Sequence, residues 1–147
     1  AHTQFTNIKI IIMTLNQLFE KFKANAGYCL EIDEFSSVMA MYPAALVAVA
    51  DGEFGQMERV NIISALKISA SENDLAMCEM YRLLNDLLAL NEEGKAEVLN
   101  MIKEEIADRP EIKLVILELM ISTAESEDGI SEEEKAAIDN MKSVLSI

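Results

Sequence analysis

The chain has 147 residues, of which 51% are apolar, and its 26 acidic and 12 basic side chains give a formal net charge of −14 at pH 7. This excess of carboxylates argues against nucleic acid or anionic lipid as a direct ligand, because phosphate groups are bound through lysine and arginine. Five glycines, two prolines and no tryptophan favour a single all-α domain over residues 1–147 rather than a disordered or β-rich chain.

The first predicted element is an amphipathic helix within residues 1–25. Large apolar side chains recur at helical spacing from Phe5 to Phe22, which favours packing against the core or against a second subunit. A helix on a membrane surface would need a basic polar face, and this segment offers mainly three lysines, so peripheral membrane association is the less favoured alternative. No signal peptide and no apolar run long enough to span a bilayer are visible, so we expect a cytoplasmic protein.

Hydrophobic periodicity predicts seven further helices joined by short loops, which makes a bundle of seven or eight helices. They are expected over residues 32–41, 43–50, 56–70, 72–90, 92–107, 111–125 and 132–145. Pro43 and Pro110 each suit the first position of a helix. Ser71 and Asn91 are expected to be N-caps that separate successive helices.

Two of the predicted helices are apolar on nearly all sides, over residues 44–50 and 114–121, and both are therefore expected to be buried. Each leads into a short acidic segment that contains an Asp-Gly pair. The repetition suggests two related halves, near residues 43–70 and 111–145, with both acidic segments at one end of the fold. Their acids are Asp51, Glu53 and Glu58 in the first segment and Asp128 and Glu134 in the second.

Helix capping alone explains part of this pattern. Gly52 and Gly129 suit the left-handed conformation in which helices commonly end. Ser131 and Glu134 have the spacing of a capping box at the start of the last helix. Capping does not require several carboxylates in one place, however, so a cation site is the second interpretation of the same residues.

The run from Leu46 to Phe54 with Glu58, and the run from Glu127 to Ser131 with Glu134, resemble the paired acidic loops of the TerB-like tellurite-resistance family. The resemblance covers residues 36–147. It implies a small all-helical protein of the bacterial stress response, related to the N-terminal domain of membrane-anchored DnaJ-type co-chaperones. It also implies a divalent-metal site, for which it nominates Asp51, Glu53, Glu58, Asp128 and Glu134. The second segment is one residue shorter and has no counterpart of Glu53.

Carboxylate and carbonyl oxygens are hard ligands, so the expected ion is Ca²⁺, Mg²⁺ or Mn²⁺ rather than zinc. Catalysis is not expected, because the single histidine, His2, lies at the terminus and no Glu-x-x-His pair occurs. The expected function is a non-enzymatic, metal-responsive stress protein with a homodimer or another protein as partner. Two alternatives remain: a metal-free protein–protein interaction module whose loops are only helix caps, and a hydrolase whose metal performs the chemistry.

The sequence also allows predictions for three other residues. Cys29 and Cys78 form no Cys-x-x-Cys pair and are expected to be buried free thiols. Glu118 is the one charged residue inside the second apolar helix. It either reaches the surface between helices or supports the metal site from behind.

Overall fold

The computed structural model describes residues 14–27, 29–50, 56–69, 73–125 and 129–147. Over these residues the chain forms seven α-helices and no strand, packed as a helical bundle, which confirms the all-α prediction. The helices are α1 (Leu15–Ala26), α2 (Ile32–Ala48), α3 (Gln56–Ser69), α4 (Asp74–Leu88), α5 (Glu92–Ile106), α6 (Pro110–Ala124) and α7 (Glu132–Leu145).

The central element is α2, which contacts each of the other six described helices. It is one continuous helix with Pro43 in its interior, so the prediction of two helices separated at Pro43 is wrong. A proline inside a helix costs about 3 kcal/mol because it removes a backbone hydrogen bond and crowds the preceding turn. Here burial opposes that cost, since the side chains from Met41 to Ala45 are all buried in the core. Tertiary packing thus overrides the local signal.

Local signals position the starts of α4, α5 and α6. Asn91 caps α5 through its side chain, and Pro110 occupies the first turn of α6, as predicted. The N-cap of α4 is Asn73 rather than the predicted Ser71, and its side chain accepts a backbone hydrogen bond from the first turn. Both residue types are suitable caps, and the structure uses the one that is adjacent to the helix.

The helices α2 and α6 run in the same direction. Ser36 and Ala40, in the first half of α2, line the same cleft as Ile112 and Ile116, in the first half of α6. These two helices also form the most extensive helix pair of the bundle, so their carboxyl ends point to one end of the molecule. We call this the loop end, and it comprises the carboxyl ends of α2 and α6 and the amino ends of α3 and α7.

At the loop end α3 is tied to α6 by a side-chain hydrogen bond. The Nδ2 of Asn61 donates to the backbone carbonyl oxygen of Ser122 over 3.2 Å. The bond joins the second turn of α3 to the last turn of α6. The helices that flank the two acidic segments therefore meet, while the expectation that the segments themselves meet remains a prediction.

The helix α6 buries only one of its sides. Leu114, Val115 and Ile121 are 56%, 45% and 38% exposed, so the prediction that residues 114–121 are buried on all sides is wrong. The buried side packs mainly on α2, and no other described helix covers the opposite side. The residues buried within α6 are Ile116, Met120, Thr123 and Ala124.

The amino-terminal helix packs on the core in its described part. Phe22 of α1 lies edge-on to Phe35 of α2, with ring centroids 6.0 Å apart, which confirms for residues 15–26 the interpretation of this helix as a packed one. Residues 1–13 lie outside the described residues. Among the helices described, none combines the length and the apolarity needed to cross a membrane.

Both cysteines are free and exposed, so the prediction of buried thiols is wrong. Cys29 lies in the connection between α1 and α2, and Cys78 lies on the outer side of α4. Periodicity could not identify these positions as exposed, because cysteine occurs at both buried and exposed sites.

Candidate metal centre

The structure describes only some of the five predicted metal ligands. Asp51, Glu53 and Asp128 lie outside the described residues. Glu58 lies in the first turn of α3, where its side chain is not described. Glu134 is described completely and is the third residue of α7.

Glu134 and Ser131 form the predicted capping box. The backbone N–H of Ser131 donates to Oε1 of Glu134 over 3.1 Å, and the backbone N–H of Glu134 donates to Oγ of Ser131 over 3.1 Å. The Ser131 hydroxyl also donates to the same Oε1 over 3.0 Å. The box satisfies two backbone donors at the start of α7 and orients the Glu134 carboxylate.

The second oxygen of this carboxylate is the unusual feature of the site. Glu134 is only 4% exposed, although most glutamates lie at protein surfaces. Its Oε2 is buried and has no hydrogen-bond partner among the described residues. Buried polar atoms are nearly always paired, and an unpaired carboxylate oxygen is especially unfavourable. An additional partner for Oε2, such as a cation, would remove this penalty.

The amino end of α7 is strongly acidic. Glu132, Glu133 and Glu134 occupy its first turn, where the helix dipole favours negative charge. The neighbouring cation, the Nζ of Lys135, lies 3.5 Å from Glu132. That pair is exposed and spans one helical turn, so it contributes little to stability. Among the described residues, Lys135 thus pairs with Glu132 and not with the buried carboxylate of Glu134.

The connection from α6 to α7 turns at Gly129, whose φ of +82° is left-handed. Glycine adopts this conformation without strain, so the conformation predicted for this residue is confirmed. Gly129 does not end α6, however, because that helix stops at Ala124 with Glu125 as its extended C-cap. Gly52 does not end α2 either, since that helix stops at Ala48 with Val49 as its C-cap.

The first turn of α3, which carries Glu58, lies at the loop end. Glu58 precedes Asn61 by three residues, which is about 4.5 Å along a helix axis. Asn61 in turn contacts the last turn of α6. The backbone of Glu58 is thus held beside the end of α6, from which the chain leads to Glu134.

Within the described ranges, no three side chains of histidine, cysteine, aspartate or glutamate are grouped closely enough to hold a metal ion. This result reflects which ligands are described, since Glu134 is the one predicted ligand with a described side chain. Glu118 is exposed on α6. Its interpretation as a residue that reaches the surface is therefore confirmed, and its alternative role beside the metal site stays a prediction.

An apolar cleft at the opposite end of α2 was not indicated by the sequence. It has a volume of about 280 Å³ and lies between the first half of α2, the last turns of α5 and the first half of α6. Beside it, Oε1 of Glu105 accepts the backbone N–H of Leu15 over 2.9 Å. The residues that line the cleft come from four separate segments, so no local pattern could have revealed it.

No protein-family model, curated protein or solved structure was found to match this chain. The TerB-like resemblance therefore depends on the two acidic segments.

Proposed function

We propose that this protein binds a hard divalent cation, Ca²⁺, Mg²⁺ or Mn²⁺, at the loop end, and that it acts as a non-enzymatic, cytoplasmic protein of the TerB-like type in bacterial stress response. The observation that carries the proposal is the buried Glu134 carboxylate, whose Oε2 has no partner among the described residues. Its other oxygen is already committed to the capping box.

The available donors fit such an ion. Glu134 offers one buried oxygen at a fixed position, and the sequence supplies further carboxylates from Asp51, Glu53, Glu58 and Asp128. Oxygen ligands of this kind suit Ca²⁺, Mg²⁺ and Mn²⁺. A bound cation would also relieve repulsion among these acids in a chain with a net charge of −14.

The consequence of binding would be a link between the two halves of the bundle. Glu134 belongs to the start of α7, and Glu58 to the start of α3, which Asn61 already connects to α6. A cation shared by these segments would stabilise the native state according to its concentration. The protein would then respond to metal through the stability of its loop end.

The test is thermal unfolding of chelator-treated protein with and without millimolar Ca²⁺, Mg²⁺ or Mn²⁺. We expect at least one ion to raise the melting temperature of the wild type, and we expect Glu134→Gln to abolish most of that rise. Glutamine retains an oxygen for the Ser131 N–H but removes the buried charge. Without metal, Glu134→Gln should therefore be as stable as the wild type or more stable.

Ser131→Ala is the matched control. It removes the N-cap hydroxyl but keeps the backbone N–H of residue 131 that holds Oε1 of Glu134, so it should lower stability by about 1 kcal/mol to a similar extent with and without metal. If none of the three ions changes the melting temperature of the wild type, the cation proposal is wrong. The acidic segments are then helix caps, and the metal-free interaction module is the better description.

A further inference from the structure

The exposed side of α6 carries a regular pattern of charge and apolar surface. Seven residues correspond to nearly two helical turns, so residues at heptad spacing lie on one face. On α6 and its C-cap, three exposed glutamates have this spacing, and three exposed apolar side chains lie between them. We call this face the α6 stripe, and it consists of Glu111, Leu114, Val115, Glu118, Ile121 and Glu125.

The stripe has no evident role within the described fold. The opposite side of α6 makes its core contacts, and the three apolar side chains of the stripe are between 38% and 56% exposed. None of the three glutamates forms an ion pair with a described residue, although other glutamates of the bundle pair with Arg82, Lys95 and Lys135. Exposed apolar side chains grouped on one face, rather than scattered singly, are typical of an interaction surface.

We infer that the α6 stripe binds a basic amphipathic helix of a partner protein. A helix with leucine-like side chains opposite Leu114, Val115 and Ile121 would cover the apolar part of the stripe, because an amphipathic helix binds a partner through its apolar face. Lysine or arginine at heptad spacing on that helix would face the glutamates. The stripe extends over about 21 Å from Glu111 to Glu125, so the partner helix needs about four turns.

Charge argues against a second copy of this chain as the occupant. In an antiparallel pairing centred on Glu118, each Glu118 would face its symmetry mate, and Glu111 would face Glu125. A parallel pairing would place every glutamate beside the same residue of the other copy. Like charges at an interface oppose association. The complementary partner is therefore cationic, and this inference does not depend on cation binding at the loop end.

The probe for this surface is a synthetic, fluorescently labelled helical peptide of about 18 residues. It has lysine at every seventh position and leucine at two positions between successive lysines. Binding to the full chain is measured by fluorescence anisotropy at low and high salt. Glu118→Lys should weaken binding about tenfold, and high salt should weaken binding to the wild type. Glu104→Lys is the matched control, because it changes the net charge equally at an exposed position on α5.

A second pair of variants tests the apolar contact. Ile121→Ser should also weaken binding about tenfold, whereas Leu75→Ser, at a 68% exposed position on α4, should not. A peptide whose central lysine is changed to glutamate should bind Glu118→Lys more tightly than it binds the wild type.

Two results would overturn the inference. One is that the lysine peptide fails to bind at millimolar concentration or binds all variants equally. The other is a wild-type dimer in sedimentation that Ile121→Ser converts to a monomer, because the occupant is then a second copy.

Discussion

The Tyr42 hydroxyl donates a hydrogen bond to the backbone carbonyl oxygen of Leu87 over 3.1 Å, and this bond joins the middle of α2 to the last turn of α4. Tyr42 is completely buried. The Leu87 carbonyl also accepts the N–H of Leu90 over 3.2 Å. The phenol therefore adds a second bond to an acceptor that already has one, and it finds its own partner inside the core.

Tyr42→Phe should lower the free energy of unfolding by about 1 kcal/mol at neutral pH, because the ring still fills its site while the hydrogen bond is lost. Urea unfolding followed by circular dichroism measures the change. Tyr81→Phe, at a half-buried position on α4, serves as the control and should leave the unfolding midpoint in place. An equal loss in both variants would contradict the assigned role of the Tyr42 hydroxyl.

The same residue should make the protein sensitive to alkaline pH. Burial raises the pKa of the Tyr42 phenol above its ordinary value of 10.0, and the negative charge of Glu92 raises it further. In the unfolded chain the phenol loses its proton near pH 10, so above that pH the unfolded state binds fewer protons than the native state. The stabilisation that the buried, protonated Tyr42 phenol provides is therefore fully present below pH 10 and decreases as the pH rises above 10.

Tyr42→Phe removes the titrating group and should flatten the fall in unfolding free energy above pH 10. Urea unfolding of wild type and variant on both sides of this pH provides the measurement. Parallel pH dependences for the two proteins would show that other groups cause the alkaline loss.

The sequence correctly predicted structural features that depend on only a few neighbouring residues. The capping box of Ser131 and Glu134 and the N-cap Asn91 are such features, because their partners lie three residues away. Pro43 inside α2 and the exposed Leu114 were predicted wrongly, because both depend on which helices surround the residue.

The Glu134 side chain has one feature that the sequence predicts and one that it does not. Its Oε1 follows from the capping-box pattern, whereas the burial of Oε2 arises from the packing of the bundle. The sequence shows the apolar side chains and the glutamates of α6, but it does not predict that they are exposed together on one face of the helix. The position of α2 decides which side of α6 is buried.

The start of α1 is held by a residue from a distant helix. Oε1 of Glu105 in α5 accepts the N–H of Leu15 over 2.9 Å. Glu105→Ala should lower the free energy of unfolding by about 1.5 kcal/mol, because the bond has a charged acceptor and is partly buried. Glu104→Ala, at the exposed neighbouring position, should change it by less than about 0.5 kcal/mol. Thermal unfolding of the two variants distinguishes this specific bond from a general effect of charge.

The end of α1 depends on Gly27, which has a left-handed φ of +67° and donates its N–H to the carbonyl oxygen of Lys23 over 3.1 Å. A Cβ at this position would meet no atom within 4 Å, so a substitution is penalised through the backbone alone. Gly27→Ala should therefore lower the free energy of unfolding by about 1 kcal/mol, and Gly27→Asn by less, because asparagine tolerates this conformation better. Equal values for the two variants in urea unfolding would argue against a backbone origin.

The two acidic segments should contribute unequally to cation binding. The second segment is one residue shorter than the first and has no counterpart of Glu53, so it contains fewer of the nominated metal ligands. Asp51→Asn should therefore reduce the cation-induced rise in melting temperature more than Asp128→Asn does, since each change removes a charge while keeping the shape of the side chain. Calorimetric titration of chelator-treated protein measures the corresponding affinities, and the same order is expected there. A larger loss for Asp128→Asn would show that the second segment contributes more to cation binding than the first. Unchanged binding in both variants would remove the Asp-Gly pairs from the site, and Glu134 would then bind the ion with other acids.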